Sequence, residues 1–211
     1  MKKILSSVYH YFRNINSVLF KNNTIKGLSL KYLIGGKYLT INGNNNKIIN
    51  KCKHLGDVQI VMYGNNHTLV IEEGVVFKNG TLWFENEGCI ITIGKSTTIE
   101  SANIAVAEHA TSVTIGEDCM LSSDIRIATT DSHSIIDLTT GKHTNQAASI
   151  KIGNHVWIGT RVAVNKGVTI DDDLVVAGNS VVTHETPSHT IIAGTPAKVI
   201  KQNTTWNRLR I

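Results

Sequence analysis

The residue best suited to proton transfer is His133, in the segment RIATTDSHSIID that runs from Arg126 to Asp137. An imidazole titrates near neutrality and can take a proton from a substrate and return it later in the same cycle. Asp131 and Asp137 flank it, and either could hold the second ring nitrogen and fix the tautomer; the sequence does not choose between them. The plain alternative is a solvated loop histidine. His143, in the same stretch, is the understudy for the role, and His109, His155, His184 and His189 read as turn or surface residues. No pair of histidines has the spacing of a metal motif, so no metal is expected. Cys52, Cys89 and Cys119 are too scattered for a disulfide framework and read as small apolar residues in a reducing compartment. No glycine-rich phosphate loop of the nucleotide-binding kinds is present, which argues against ATP or NAD chemistry.

The elements that must position such residues are legible from a strict period. Ile152, Ile158, Val164, Ile170, Val176 and Val182 fall six residues apart, and Val156, Val162, Val168 and Leu174 form an interleaved row with the same spacing. Helices repeat at about 3.6 residues and strands at about 2, so neither makes a period of six. A backbone that turns a corner every six residues does, and three such sides close a triangular coil of about 18 residues that stacks into a solenoid. After the first-row aliphatics stand Gly153, Gly159, Asn165, Asp171 and Ala177, mostly types suited to tight turns. A coarser repeat begins at Ile41. The segments NGNNNK and YGNNHT place Gly43 and Gly64 21 residues apart, and Ile49, Val70 and Ile91 keep that spacing, with Val113 following 22 later. The Asn-rich corners read as structural. Between Ala128 and Ser149 the period breaks, and an insertion in a stacked wall must leave it as a loop. His133 lies in that loop. Trp157 stands between the inward Val156 and Ile158, so its ring is expected to point outward.

This pattern, continued through IIAGTPAKVIK (Ile191–Lys201), resembles the hexapeptide-repeat acyltransferases, and RIATTDSHSIID with INGNNNKIIN (Ile41–Asn50) resembles the capsular sialic acid O-acetyltransferases, including the polysialic acid enzymes. The resemblance covers residues 40–201. It implies an all-β fold, a left-handed parallel β-helix assembled as a homotrimer with active sites at subunit boundaries. It implies acetyl-CoA as co-substrate, a saccharide acceptor, His133 as catalytic base and Trp157 at the active site. Thr160, Gly178 and Ala193 match positions where small groups line the pantetheine groove. Lys166 would lie on the wall along which coenzyme A runs, and Lys198 and Lys201 match basic positions near the groove mouth, where either would meet the nucleotide phosphates. Two positions depart from the pattern: His184 stands where relatives often carry Lys, and Thr183 where some carry an aromatic residue.

The formal charge of +5 suits an anionic partner. The basic residues are scattered and form no nucleic-acid motif, so a phosphate-bearing cofactor or an anionic polysaccharide is expected instead. Residues 1–20 space Ile4, Leu5, Val8, Phe12, Ile15 and Leu19 as an amphipathic helix, expected to pack on the solenoid or a neighbouring subunit. Peripheral membrane contact through Lys2, Lys3 and Arg13 is the secondary reading. No apolar run is long enough to span a bilayer, and a cytoplasmic location is expected. The expected organisation is a lead-in segment over 1–40 and a β-helix over 41–211, followed by a cap on the exposed solenoid end. The expected activity is transfer of an acetyl group to a sugar hydroxyl of a bacterial surface polysaccharide, with sialic acid as the named candidate. The alternatives are an amino sugar, antibiotic or serine as acceptor, or a non-catalytic scaffold.

Overall fold

The structure, a computed structural model, describes residues 21–34 and 37–210. Every aliphatic of the two six-residue rows is buried, because each short side of the coil turns one of its alternating side chains inward. The result is a left-handed parallel β-helix with three faces. The first face stacks Thr24–Lys26, Lys47–Asn50, Thr68–Ile71, Ile90–Ile93, Ser112–Ile115, Ile150–Ile152 and Thr169–Ile170. The second carries Met120–Leu121, Trp157–Ile158 and Val175–Val176, and the third Ile125–Ala128, Ala163–Val164 and Val181–Val182. In the N-terminal half, three long strands, His54–Asn65, Val76–Glu87 and Thr98–Val106, turn from the second face onto the third without a break. That turn brings backbones together: a Cβ on Gly80 would lie 1.9 Å from the Ala102 carbonyl oxygen.

Three expectations need correction. The left-handed residues of the strict coils are His155, Arg161, Gly167, Asp173 and Asn179, two places beyond the small residues expected to make the turns. Gly159 is required for another reason, since a Cβ there would stand 2.6 Å from the backbone nitrogen of Gly178 in the next coil. In the coarse repeat, Ile49 pairs with Val70, but Val70 pairs with Thr92, and Ile91 lies over Leu69. The coil has lengthened to 22 residues there, and the true inward column is Ile48, Leu69, Ile91 and Val113. A slip of one residue exchanges the two faces of a strand, which is why Ile49 and Val70 are only half-buried. The ladder also begins earlier than residue 41, at Thr24–Lys26 paired with Lys47–Ile49. The helix Leu30–Ile34 belongs to that first coil and buries Tyr32; the amphipathic helix expected over residues 1–20 lies outside the described residues.

The Asn-rich corners are structural. Asn46 accepts from the His67 N–H through Oδ1 (2.9 Å) and donates to the Gly64 carbonyl (3.0 Å), and Asn23 performs the same two tasks one coil earlier. At the other end, Ala197–Gln202 folds back antiparallel on Thr190–Gly194 and closes the solenoid. The tail beyond it runs along the corner between the first and second faces. There Trp206 stacks on His155 with ring centroids 4.2 Å apart, and Arg208 reaches Asp118 (2.8 Å) and Thr98 (3.0 Å).

Candidate active site

The chain leaves the third face after Ala128 and re-enters the first face at Ile150, so the intervening loop stands on the corner between them. The loop is held at its root and along its length. Glu108 accepts from Thr130 Oγ1 (2.7 Å) and from the Ala147 N–H (3.2 Å), and these bonds hold its carboxyl below the usual carboxylate range. Lys166, one coil further on, donates to Asp131 Oδ2 and to the Asn145 carbonyl (2.6 Å). Asn145 crosses the loop, donating to Asp131 Oδ2 and to the His133 carbonyl (both 2.9 Å) and accepting from the Ile135 N–H (2.6 Å). The Lys166 ammonium, first of all, and the Asn145 amide lower the pKa of Asp131 below its ordinary value. Asp137 accepts from the Thr140 N–H (2.7 Å), the Thr140 hydroxyl and the Thr139 N–H. Backbone bonding to Thr140, first of all, lowers its pKa.

Both carboxylates proposed as ring partners of His133 are therefore engaged elsewhere. His133 is exposed, and among the described residues its imidazole has no hydrogen-bond partner. Two other sequence expectations concern the corners. Thr160 and Gly178 occupy equivalent places in successive coils at the corner between the second and third faces, where the Thr160 carbonyl accepts from the Asn179 N–H (2.9 Å). Ala193 follows in the next layer and pairs with Lys198, while Lys201 pairs with Ile191. Thr160, Gly178 and Ala193, with Lys198 beside Ala193, gather at that corner, whereas Lys201, across from Ile191, lies in the second-face column of Val175 and Trp157. Lys166 is on a different edge, under the loop with His133. Trp157 is outward-facing on the second face, 37% exposed, with its ring centroid 6.2 Å from that of Trp206. One chain thus keeps His133 and Trp157 on different sides of the prism.

Sequence reasoning missed three contributors. Asn145 and Glu108 brace the loop, but an isolated Asn or Glu carries no spacing signal. The third is a cavity of about 320 Å³ on the outer surface of the third face. Asn103 and Arg126 lie side by side on its floor, Asp124 forms its wall, and Thr130 and Ser132 form the rim next to His133.

No protein-family model matches the chain. It is 37% identical over 190 residues to the polysialic acid O-acetyltransferase of Neisseria meningitidis, covering 89% of this chain and 86% of that protein. Among solved structures it resembles the polysialic acid O-acetyltransferase OatWY, with a TM-score of 0.81, 34% identity and 90% of each chain covered. It also resembles the polySia-specific acetyltransferase NeuO, with a TM-score of 0.71 and 35% identity over 80% of this chain and 77% of that one. A strict six-residue coil, a braced histidine loop at one corner and a likeness that spans nearly the whole of an enzyme of known name place this chain in the polysialic acid O-acetyltransferase family.

Proposed function

We propose that the protein transfers the acetyl group of acetyl-CoA to a hydroxyl of sialic acid in a capsular polysaccharide, with His133 as the base. The observation that carries this reading is the free imidazole of His133 on a loop whose neighbouring carboxylates are tied down. A braced loop holds the base in place, and an unpartnered ring nitrogen is open to a hydroxyl. His133 takes the hydroxyl proton as the sugar oxygen attacks the thioester carbonyl. The tetrahedral intermediate collapses with loss of the coenzyme A thiolate, which recovers the proton from the imidazolium. The products are the O-acetyl sugar and the free thiol, with no acyl-enzyme and no metal in the cycle.

The same reading places the pantetheine arm along the edge formed by Thr160, Gly178 and Ala193, with Lys198 or Lys201 at the phosphates. It is completed by a homotrimer, in which Trp157 of one copy approaches the loop of the next, and by a cytoplasmic setting where acetyl-CoA is available. Support for the trimer comes from the separation of His133 and Trp157 within one chain, and from Ile135, Ile136 and Leu138, three exposed apolar residues on the same loop.

The test is thiol release from acetyl-CoA with a sialic acid oligomer, and with a panel of neutral sugars, amino sugars and serine. His133→Ala should fold and assemble as the parent does while turnover falls by about 10²–10⁴-fold. Near-normal turnover would remove His133 from the role, and turnover with serine or an amino sugar alone would replace the acceptor. Sedimentation of the purified chain checks the trimer.

A further inference from the structure

Arg126 stands out among the charged groups of the third face. Its side chain points outward beside Asn103, in a row continued by Ala163. Among the described residues its guanidinium has neither an ion-pair nor a hydrogen-bond partner. Asp131 is near enough to feel its charge, but Asp131 is already paired with Lys166. The remaining carboxylate of the cavity is Asp124, exposed on the wall, and no bond joins it to Arg126. The floor thus offers a free planar cation next to an amide, with two hydroxyl-bearing residues, Thr130 and Ser132, at the rim that leads to His133. A guanidinium takes a carboxylate through two parallel N–H bonds, a geometry that a lone ammonium cannot copy.

A second feature shares the face. Trp83 lies one coil above Ala105 of the cavity floor, and its ring is 5.4 Å from that of Tyr63 in the coil before. Tyr63 is 39% exposed, and the Trp83 N–H is turned aside to Glu85 (3.2 Å). The ring faces are left for apolar contact. Coils stack at about 4.8 Å, so the aromatic pair begins about 10 Å from Arg126, along the helix axis.

We infer that the cavity is the acceptor site, that Arg126 is its specificity-determining residue and binds the carboxylate of the acidic sugar to be acetylated, and that Trp83 and Tyr63 carry the neighbouring units of the same polymer. The inference rests on the reading of His133 as base, and gives that base its substrate: a sugar anchored at Arg126 presents its hydroxyls toward the Ser132 rim. Asp124 then accepts from sugar hydroxyls instead of competing for the cation.

Binding is measured first, by calorimetry with a short sialic acid oligomer and with its carboxyl methyl ester, on the full chain carrying His133→Ala so that no transfer intervenes. The acid should bind at least tenfold more tightly than the ester. Arg126→Gln added to His133→Ala should remove that preference, leaving ester binding unchanged within twofold, and Trp83→Ala should weaken longer oligomers more than the monosaccharide. In the active enzyme, Arg126→Gln should raise KM for the oligomer at least tenfold with KM for acetyl-CoA unchanged, and Arg126→Lys should recover only part of the loss. Equal binding of acid and ester, or an Arg126→Gln variant that keeps the preference, overturns the assignment. So does a change in sedimentation on Arg126→Gln, which would make this face a contact between copies. Inactivity of the parent toward every acceptor, with the acid preference intact, would refute the role of His133 and leave the site standing.

Discussion

Lys166 and Asp131, 35 residues apart in sequence, are joined as an ion pair at the foot of the loop that carries His133. The same ammonium donates to the Asn145 carbonyl, so one side chain clamps both strands of the loop to the coil below. An exposed pair contributes only about 0.2–1 kcal/mol to stability. Misplacing a reacting group by about an ångström, by contrast, costs on the order of 10²-fold in rate.

Lys166→Ala is therefore expected to fold normally and to lower kcat by about 10–100-fold, with KM for acetyl-CoA changed little. Steady-state kinetics beside a thermal melt checks this. The sequence reading put Lys166 on the coenzyme A wall, and that role makes the opposite forecast: KM for acetyl-CoA up, kcat retained.

The strict coils were legible because their period is incompatible with any other backbone. The two rows from Ile152 to Val182 needed no knowledge of tertiary contacts, since stacking repeats the same local geometry. Where the coil lengthens from 21 to 22 residues, the spacing of Ile49, Val70 and Ile91 misled, because alternating strand residues punish a one-residue error with a change of face. Of the candidate site, the sequence singles out the residues whose type is unusual for their place, His133 in the loop and Trp157 between two inward aliphatics. Asn145 and Glu108, which brace the loop, and Arg126, proposed above for the acceptor, leave no such mark, because what they touch depends on which coil lies beside which, and ordinary polar residues carry no trace of that in the sequence.

His67 shows the same limit inside the core, and it yields a second prediction. It occupies the corner position filled by Asn46 one coil earlier. Its Nδ1 accepts from the Cys89 N–H (3.1 Å), so Nε2 carries the proton that is given to the Tyr63 carbonyl (3.1 Å). Asn46 likewise accepts from the N–H of the next coil, and its amide donates to a corner carbonyl, that of Gly64 in the next coil where His67 uses Tyr63 of its own. His67→Asn should keep most of the stability, whereas His67→Leu should lose about 1–3 kcal/mol, the cost of unsatisfied buried groups. Chemical denaturation of the two variants compares them.

The protonation of His67 sets a pH dependence. Burial disfavours the charged ring and lowers its pKa, so the unfolded chain takes up the proton first. Stability from this site is whole above the ordinary imidazole value of about 6.5 and falls as pH drops below it. The parent should lose stability between about pH 6.5 and pH 5 more steeply than His67→Asn, as read by denaturant midpoints.

His155 should behave in the opposite sense. Burial opposes its charge, yet bonds to the Trp206 carbonyl (3.0 Å) and to Asp118 (2.8 Å) prevail and raise its pKa. Both partners are acceptors, and only an imidazolium can donate to both at once. The Asp118 carboxylate loses stabilisation to burial but gains more from Arg208 and His155, and stays below its ordinary range. A raised folded pKa gives stability that is complete below about pH 6.5 and is lost as pH rises through the folded value. Hydrogen exchange of residues 203–210 should therefore quicken on going from pH 6 to pH 8 beyond the intrinsic rise, and His155→Gln should flatten that excess.

Gly159 and Gly178 separate a structural glycine from one expected to serve the cofactor. A Cβ on Gly159 would meet the Gly178 nitrogen at 2.6 Å, and neither backbone can retreat without breaking the ladder bond from the Gly159 N–H to the Val176 carbonyl (2.8 Å). Gly159→Ala should cost about 1–3 kcal/mol, the usual penalty of overpacking. Gly178 is exposed, and a Cβ there comes no nearer than 3.2 Å to the Thr160 carbonyl oxygen, which a small shift relieves. If the pantetheine arm runs past this edge, Gly178→Ala should leave the melting temperature within a few degrees of the parent while raising KM for acetyl-CoA several-fold, because the added methyl occupies space that the arm needs. An unchanged KM in a well-folded Gly178→Ala would move the arm off this edge, and Thr160 and Ala193, which share it, would lose their assignment with it.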